Sequence, residues 1–502
     1  MSSNNHKIDL VLINPGSQYE VFQGLANTLT AIEPPVWAGL MATFVRNKGF
    51  SVYIIDSNAL GLNPRETAER IAELDPLLTA VVVYGHQPSA STQNMPACSA
   101  VATAIAEKDP GRNVMMVGGH VAALTERTLN EESVTFVSDG EGLYTLIDLI
   151  EALKSGQTNF SKVRGLAYME DGKVKRTPSA PLFTALDEEM PGIAWDLLPM
   201  DRYRAHNWHC LDTLDRKPYV AIYTTLGCPY HCSFCCIQAP FKRGENILGY
   251  KEQVNSYRFW SPESVIKQID TLVNEYGVRN IKFADEMFVL NRRHIEGICD
   301  LIIERGYDLN IWAYARVDTV RPENIDKLKQ AGINWLAFGI EAANERVRNE
   351  VQKGFGQEQI YQTVEAVRSG GISVIGNYIF GLPEDDYDTM QETLDMAIDL
   401  NCEFANFYCA MAYPGSSLYV QAEAEKWALP PTWGAYSQHA VDSLPLPTKY
   451  LTSGQVLAFR DQAFNTYFSN PGYLEMINRR FGSETVQHLQ EMASHQLVRQ
   501  NV

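Results

Sequence analysis

Leu226-Gly-Cys-Pro-Tyr-His-Cys-Ser-Phe-Cys-Cys236 is the stretch on which the reading of this chain turns. It sets Cys228, Cys232 and Cys235 in a CxxxCxxC spacing, just after an apolar strand pattern that ends at Thr224. Three thiolates in one loop can hold three irons of a [4Fe–4S] cluster and leave the fourth iron open to an outside ligand. A structural zinc site would instead be closed by a fourth Cys or His. His231 and Cys236 are the residues that could close one. Cys236 directly follows a ligand, a poor geometry for a fourth bond to the same cluster, and reads as a small buried residue. Cys210 lies near the motif in sequence and stays an open candidate.

Strand and helix patterns alternate outward from this loop. Strands are expected at Tyr219–Thr224, Ile281–Phe283, Asn310–Ala315, Trp335–Gly339, Val374–Phe380 and Glu403–Tyr408. Helices are expected between them at Pro262–Glu275, Asn291–Arg305, Glu323–Ala331, Tyr361–Ser369 and Asp388–Asp399. This alternation predicts a full or partial (β/α)6 barrel of the TIM type over residues 216–420, with its site at the carboxyl ends of the strands. Those ends carry Asp285 and Glu286, Arg316, and Gly339-Ile340-Glu341. A guanidinium such as that of Arg316 suits a carboxylate through a bidentate pair. Residues 421–502 lack strand patterns and are expected to be mostly helical.

Residues 1–155 form a second α/β unit. Strands are expected at Ile8–Asn14, Ser51–Ile55, Ala80–Tyr84, Asn113–Val117 and Val134–Val137. Helices are expected at Val36–Asn47, Arg65–Leu74, Pro96–Glu107 and Leu143–Leu153. Short apolar strands alternating with helices imply a parallel sheet covered on both faces, a Rossmann-like or flavodoxin-like domain. Such sheets bind ligands at the carboxyl ends of their strands. Here those ends carry Asn14 and Gly16, Asp56, His86, Gly118-Gly119-His120, and Gly140-Glu141. The dinucleotide fingerprint GxGxxG is absent after the first strand, which disfavours nicotinamide and flavin dinucleotides. Residues 156–215 contain a hairpin turning at Asp171-Gly172. Within them, 180–199 is punctuated by Pro181, Pro191 and Pro199 and reads as a linker.

The whole chain has 502 residues, 45% hydrophobic and 20% charged, an ordinary globular composition of about three domains. Its net charge of −18 argues against a general phosphate-backbone binder, so no nucleic-acid partner is expected. No run approaches the roughly 20 apolar residues of a membrane span, and no signal-peptide core is evident. The expectation is a cytoplasmic protein. Its nine cysteines, four of them within nine residues, favour metal over disulfides there.

The cysteine loop resembles that of the radical S-adenosylmethionine (SAM) enzymes, with Phe234 as the aromatic before the third cysteine. Later segments are similar too: Phe283-Ala-Asp-Glu286, Arg316, Gly339-Ile-Glu341, Gly376-Asn-Tyr-Ile-Phe-Gly-Leu-Pro-Glu384 and Tyr413-Pro-Gly-Ser416. An α/β unit before the barrel, and Pro191-Gly-Ile-Ala-Trp-Asp-Leu-Leu-Pro199, resemble the cobalamin-binding subclass. The resemblance implies that SAM chelates the open iron and is bound by Asp285, Glu286, Arg316 and Glu341. It implies cobalamin on the N-terminal domain, near Asn14, Gly16, Asp56, His86, Ser89, Ser91, Thr92, Gly118, Gly119, His120, Gly140 and Glu141. The loop 86–92 is the candidate for the corrin's lower face, and Asp139–Gly142 for its nucleotide tail. Many cobalamin domains carry a DxHxxG histidine that ligates cobalt from below. Here the loop Asn14-Pro-Gly-Ser-Gln-Tyr-Glu20 has none, so cobalt is expected to lack that ligand; His86 is the remaining alternative.

The resemblance therefore implies a cobalamin-dependent radical SAM methyltransferase. One SAM would methylate cob(I)alamin and a second would be cleaved to a 5′-deoxyadenosyl radical. That radical would open an unactivated carbon, or a phosphorus centre, to the methyl group of methylcobalamin. An external electron donor such as flavodoxin or ferredoxin, and a small-molecule substrate, are the implied partners. Two other outcomes use the same sequence: a radical SAM enzyme of cyclisation, ring contraction or other rearrangement, and a non-enzymatic metal-containing binding protein.

Overall fold

A computed structural model of the protein describes residues 7–16, 23 and 30–502. The N-terminal sheet has strands β1 (Ile8–Asn14), β2 (Val52–Asp56), β3 (Pro76–Val82), β4 (Val114–Val117), β5 (Phe136–Ser138), β6 (Leu166–Glu170) and β7 (Lys173–Arg176). Their spatial order is β2-β1-β3-β4-β5-β6-β7. The first five are parallel, and β6 and β7 add antiparallel at the edge. The order 2-1-3-4-5 is that of flavodoxin-like folds, and its crossover between β1 and β3 is where such sheets open a ligand crevice. Side-chain alternation builds the two layers. Leu10 and Leu12 of β1 join the core under helix Val36–Asn47, while Val11 and Ile13 join the opposite core under helices Pro64–Leu74 and Met95–Lys108. Asp171 and Gly172 both take positive φ, 51° and 72°, the type I′ geometry that matches strand twist.

The barrel strands are β8 (Tyr219–Ile222), β11 (Asn280–Phe283), β12 (Asn310–Ala315), β13 (Ile333–Glu341), β14 (Ser373–Phe380) and β15 (Phe404–Cys409). They pair in parallel in that order, and β8 and β15 stand at the two ends, so the barrel is a partial (β/α)6 one. Between β8 and β11, β9 (Thr225–Gly227) and β10 (Tyr257–Phe259) form a small antiparallel ribbon, and the cysteine loop leaves from β9. Helices Ser453–Phe468, Pro471–Phe481 and Ser483–Ser494 close the C-terminal region.

Two sequence expectations are corrected. The third strand starts at Pro76 and ends at Val82, so Val83 and Tyr84 belong to the loop that follows. Proline is tolerated at a first strand residue because no ladder donor is needed there. Residues 421–502 are mostly helical as expected, and within them the segment after helix Ser417–Glu425 is irregular to Thr452 apart from one short turn. Pro430, Pro431, Pro445 and Pro447 deny it helical donors. The stretch 180–199 is no free linker. Met190, Ile193, Trp195 and Leu198 are buried, and it is stitched to both domains. Ala194 N–H donates to Gly39 O at 3.2 Å, Trp260 Nε1 donates to Met190 O at 2.7 Å, and Ile193 N–H donates to Gln268 Oε1 at 3.2 Å.

Candidate cofactor site

A cavity of about 810 Å³ opens where the carboxyl ends of β1 and β3 face the barrel mouth, with the C-terminal region as a third wall. The N-terminal unit contributes Asn14, His86 and Ser89; the barrel contributes Cys235, Glu286, Arg316 and Glu341.

Gly227 starts the cysteine loop at φ 86°, with its Cα so near β10 that a Cβ would lie 2.4 Å from Ser256 O. Gln238 Nε2 donates to Cys228 O at 2.9 Å and Asn255 Nδ2 donates to Tyr230 O at 2.8 Å, which tie the loop down. Of the nine cysteines, Cys228, Cys232 and Cys235 are partly exposed, and the other six are buried. That donor set fits a cluster bound by these three. Cys236 is 6% exposed but lines the cavity, and Cys210 is inside the core, with its thiol on Asn280 Oδ1 at 3.4 Å. Burial pushes the Cys228 thiol up to about 12, so a bound metal has to make the thiolate. Arg316 Nη1 lies 3.9 Å from Cys232 Sγ, and its guanidinium stacks on Tyr230 at 3.8 Å. Its bidentate carboxylate is Asp318, at 2.9 and 3.0 Å.

Glu341 ends β13 at φ 66°, a conformation that costs a non-glycine residue energy and needs outside support. The support is Lys353, whose Nζ lies 2.5 Å from Glu341 Oε1 and donates to Gly339 O at 3.1 Å. A Cβ on residue 339 would come within 2.6 Å of both groups, which is why the Gly-x-Glu spacing needs its glycine. Glu286 lines the cavity, and burial pushes its carboxyl up to about 8. It can donate a hydrogen bond there at neutral pH.

Asp285, its neighbour, does not reach the cavity. Its carboxylate accepts from Thr224 N–H at 2.7 Å, Thr225 N–H at 2.5 Å and both threonine hydroxyls at 2.9 and 3.0 Å. It clamps the β8–β9 turn from which the cysteine loop departs. Asp56 is likewise internal: it caps helix Ser57–Leu60 and accepts from Asn14 Nδ2 and Tyr203 Oη, each at 2.8 Å. Asn14 therefore reaches the cavity while Asp56 orients it.

His86 faces the cavity. Nε2 lies 2.6 Å from Pro34 O and so donates to it, and Nδ1 lies 3.2 Å from Glu33 Oε2, within ion-pair distance. Glu33 also accepts from Tyr219 Oη at 2.8 Å and pairs with Lys282 Nζ at 3.0 Å. Burial would raise the Glu33 carboxyl, but His86 and Lys282 beside it hold it well below the usual range. Glu33, Lys282 and Lys353 all line the cavity, and the sequence reading missed them. A signal existed for Lys282, a charged side chain at an inward position of an apolar strand; Glu33 and Lys353 stand on loops and carried none.

Ser91, Thr92 and His120 form a buried network behind the cavity wall. Ser91 Oγ donates to Val83 O and accepts from His120 N–H at 2.9 Å, and Thr92 Oγ1 lies 3.0 Å from His120 Nδ1. The His120 ring meets Trp433 edge-on at 4.4 Å. Gly16, Gly118, Gly119 and Gly140 also lie off the cavity. Gly118 has no room for a Cβ, which would fall 2.1 Å from Val83 O. A Cβ on residue 119 or 140 would make only ordinary contact with Pro240 of the barrel, at 3.8 and 3.7 Å. Glu141 is spent on Arg258, at 2.8 Å, and on Phe183 N–H at 3.0 Å. These residues hold the loops that frame the site, and their own groups do not line the cavity.

Residues 222–397 match the radical SAM superfamily and residues 23–150 match the B12 binding domain. The chain belongs to the cobalamin-binding, methyltransferase-like radical SAM enzymes, and its cofactors are a [4Fe–4S] cluster, SAM and cobalamin. It is 30% identical over 442 residues to an uncharacterized methyltransferase of Pyrococcus horikoshii, PH0819, covering 88% of this chain and 89% of that one. It is 26% identical over 397 residues to the anaerobic magnesium-protoporphyrin IX monomethyl ester cyclase of Rubrivivax gelatinosus, covering 77% and 66%. The fold is shared with the radical SAM methyltransferase TsrM from Kitasatospora setae, at TM-score 0.66, 15% identity and coverage of 99% and 100%. It is shared with the cobalamin-dependent radical SAM enzyme OxsB at TM-score 0.69, 16% identity and coverage of 97% and 71%. The reading as a non-enzymatic binding protein is set aside by this membership. Among the described residues no helix is long and apolar enough to cross a membrane.

Proposed function

We propose that this enzyme methylates an unactivated carbon or phosphorus centre of a small molecule held between the barrel mouth and the N-terminal sheet. The observation that carries the reading is that one cavity is lined both by Asn14, His86 and Ser89 and by Cys235, Arg316 and Glu341. When bound, the cluster supplies the electron that cleaves SAM, and cobalamin carries the methyl group. The chain positions the reactants and excludes water, where most of the attainable advantage lies. Cys228, Cys232 and Cys235 would hold the cluster, with the Arg316 cation offsetting its charge beside Cys232. Glu341, neutralised by Lys353, offers an acceptor to the amino or hydroxyl groups of SAM, and Glu286 offers a second group able to donate. Tyr84, Trp312, Tyr314 and Tyr408 give the cavity an aromatic wall. Working units of 1–155, 156–215, 216–420 and 421–502, a cytoplasmic location and a flavodoxin or ferredoxin donor complete the reading.

The test is anaerobic reconstitution with cluster, cobalamin and SAM labelled in its methyl group. Label that reaches cobalamin and then a product, with 5′-deoxyadenosine formed alongside, supports methyl transfer. Deoxyadenosine formed without label ever reaching cobalamin would turn the reading to a non-methylating rearrangement, the outcome the cyclase relative represents.

A further inference from the structure

The third wall of the cavity is built by the C-terminal region and contains a charge that the described residues do not balance. Arg460, on helix Ser453–Phe468, is 5% exposed and lines the cavity. Its Nε donates to Phe407 O at 2.8 Å and its Nη1 to Asp461 Oδ1 at 2.9 Å. The same carboxylate is gripped by Arg499, through Nη2 and Nε, each at 2.8 Å. Two guanidinium groups thus share one carboxylate. Burial would raise Asp461, but Arg499 and Arg460 hold it low, so it stays charged and the group keeps a net positive charge. The neighbouring His439 adds none, since burial and these two cations push its imidazole down to about 3. Among the described residues Arg460 Nη2 has no hydrogen-bond partner in the protein. Its guanidinium sits 5.4 Å from the Phe464 ring centre, and Phe404, Phe407 and Tyr408 line the same cavity.

Buried charge is stable only when paired, and a guanidinium with free donors on a cavity wall matches a carboxylate or phosphate. We propose that Arg460 receives an anionic group of the substrate, a carboxylate or phosphate, whose flat apolar body lies on the aromatic wall beside it. This inference rests on the methyl-transfer reading and names the substrate class for it. SAM and the cobalamin tail are anionic as well. On that reading SAM lies against the barrel wall, where Arg316 and Lys353 stand paired with Asp318 and Glu341, and the N-terminal unit supplies Asn14 and His86 on another; Arg460 belongs to neither wall.

Benzoate and its neutral analogue benzamide serve as probes, titrated calorimetrically into enzyme already loaded with cluster, cobalamin and SAM. Benzoate is expected to bind saturably and benzamide not. Arg460→Gln should weaken benzoate by about tenfold or more, and Arg460→Lys by less. Asp461→Asn removes the compensating charge and should tighten it, a direction opposite to any loss of folding. Equal benzoate binding by wild type and Arg460→Gln, equal binding of benzamide, or no binding to the loaded enzyme would overturn the inference. Benzoate binding only before cofactors are added would give the anion slot to a cofactor instead. Methyl transfer to cobalamin is followed on wild type separately, so a failure of the methyltransferase reading is distinguishable from a failure here.

Discussion

Glu141 of the N-terminal unit and Arg258 of β10 are ion-paired at 2.8 Å across the domain boundary, with side chains 6% and 8% exposed. Arg258 also donates to Phe183 O, and its guanidinium sits 4.8 Å from the Phe241 ring centre. The pair fixes how the cobalamin side of the cavity faces the cluster side. Breaking a buried pair from one end leaves the other charge uncompensated. Glu141→Ala should therefore cost about 3–5 kcal/mol in a denaturant titration. The double variant Glu141→Leu with Arg258→Met should recover most of that loss; no recovery would mean the pair acts through something other than charge.

Cys228→Ala, Cys232→Ala and Cys235→Ala should each abolish the cluster's absorbance and paramagnetic signal after reduction. Cys236→Ala and Cys210→Ala should keep both, because Cys210 is buried in the core and Cys236, though on the cavity wall, directly follows Cys235. Iron and sulfide analysis decides it, and cluster loss in Cys236→Ala would reopen the question of the ligand set.

With Nε2 on Pro34 O and Nδ1 against Glu33, His86 has no nitrogen turned to a metal. Enzyme loaded with cob(II)alamin should give a paramagnetic spectrum without nitrogen splitting from a lower axial ligand. Splitting that disappears in His86→Ala would show the opposite, that the ring leaves Glu33 for cobalt.

Burial, with the Arg127 cation nearby, pushes His120 down to about 3. The unfolded chain takes up that proton near pH 6.5 and the folded one does not, so stability is full above 6.5 and falls as pH drops below it. At pH 5.5 the share of this one residue is about 1.4 kcal/mol. His120→Gln should accordingly lose less stability than wild type between pH 7.5 and 5.5, by about that amount. Parallel losses in the two proteins would mean that His120 is not held neutral.

Local pattern determined a great deal. Helix Val36–Asn47 and strands Ile8–Asn14 and Asn310–Ala315 have the ends that their apolar periodicity predicts, because burial of one face writes itself into a short window. The three cysteines proposed for the cluster were readable for the same reason, since their spacing lies within one loop. The roles of side chains at the strand ends were not. Asp285 and Glu286 are adjacent, yet one is consumed by Thr224 and Thr225 and the other faces the cavity. Asn14 and Asp56 divide in the same way. Which carboxylate is free depends on which donors the fold brings to it, and those come from other strands. Glu33 and Lys282 meet across 249 residues, and Arg460 reaches the cavity wall only because a C-terminal helix packs on β15. Sequence periodicity records which face a residue buries. The partner it meets there is set by long-range packing, and in this protein that packing decides what the site can hold.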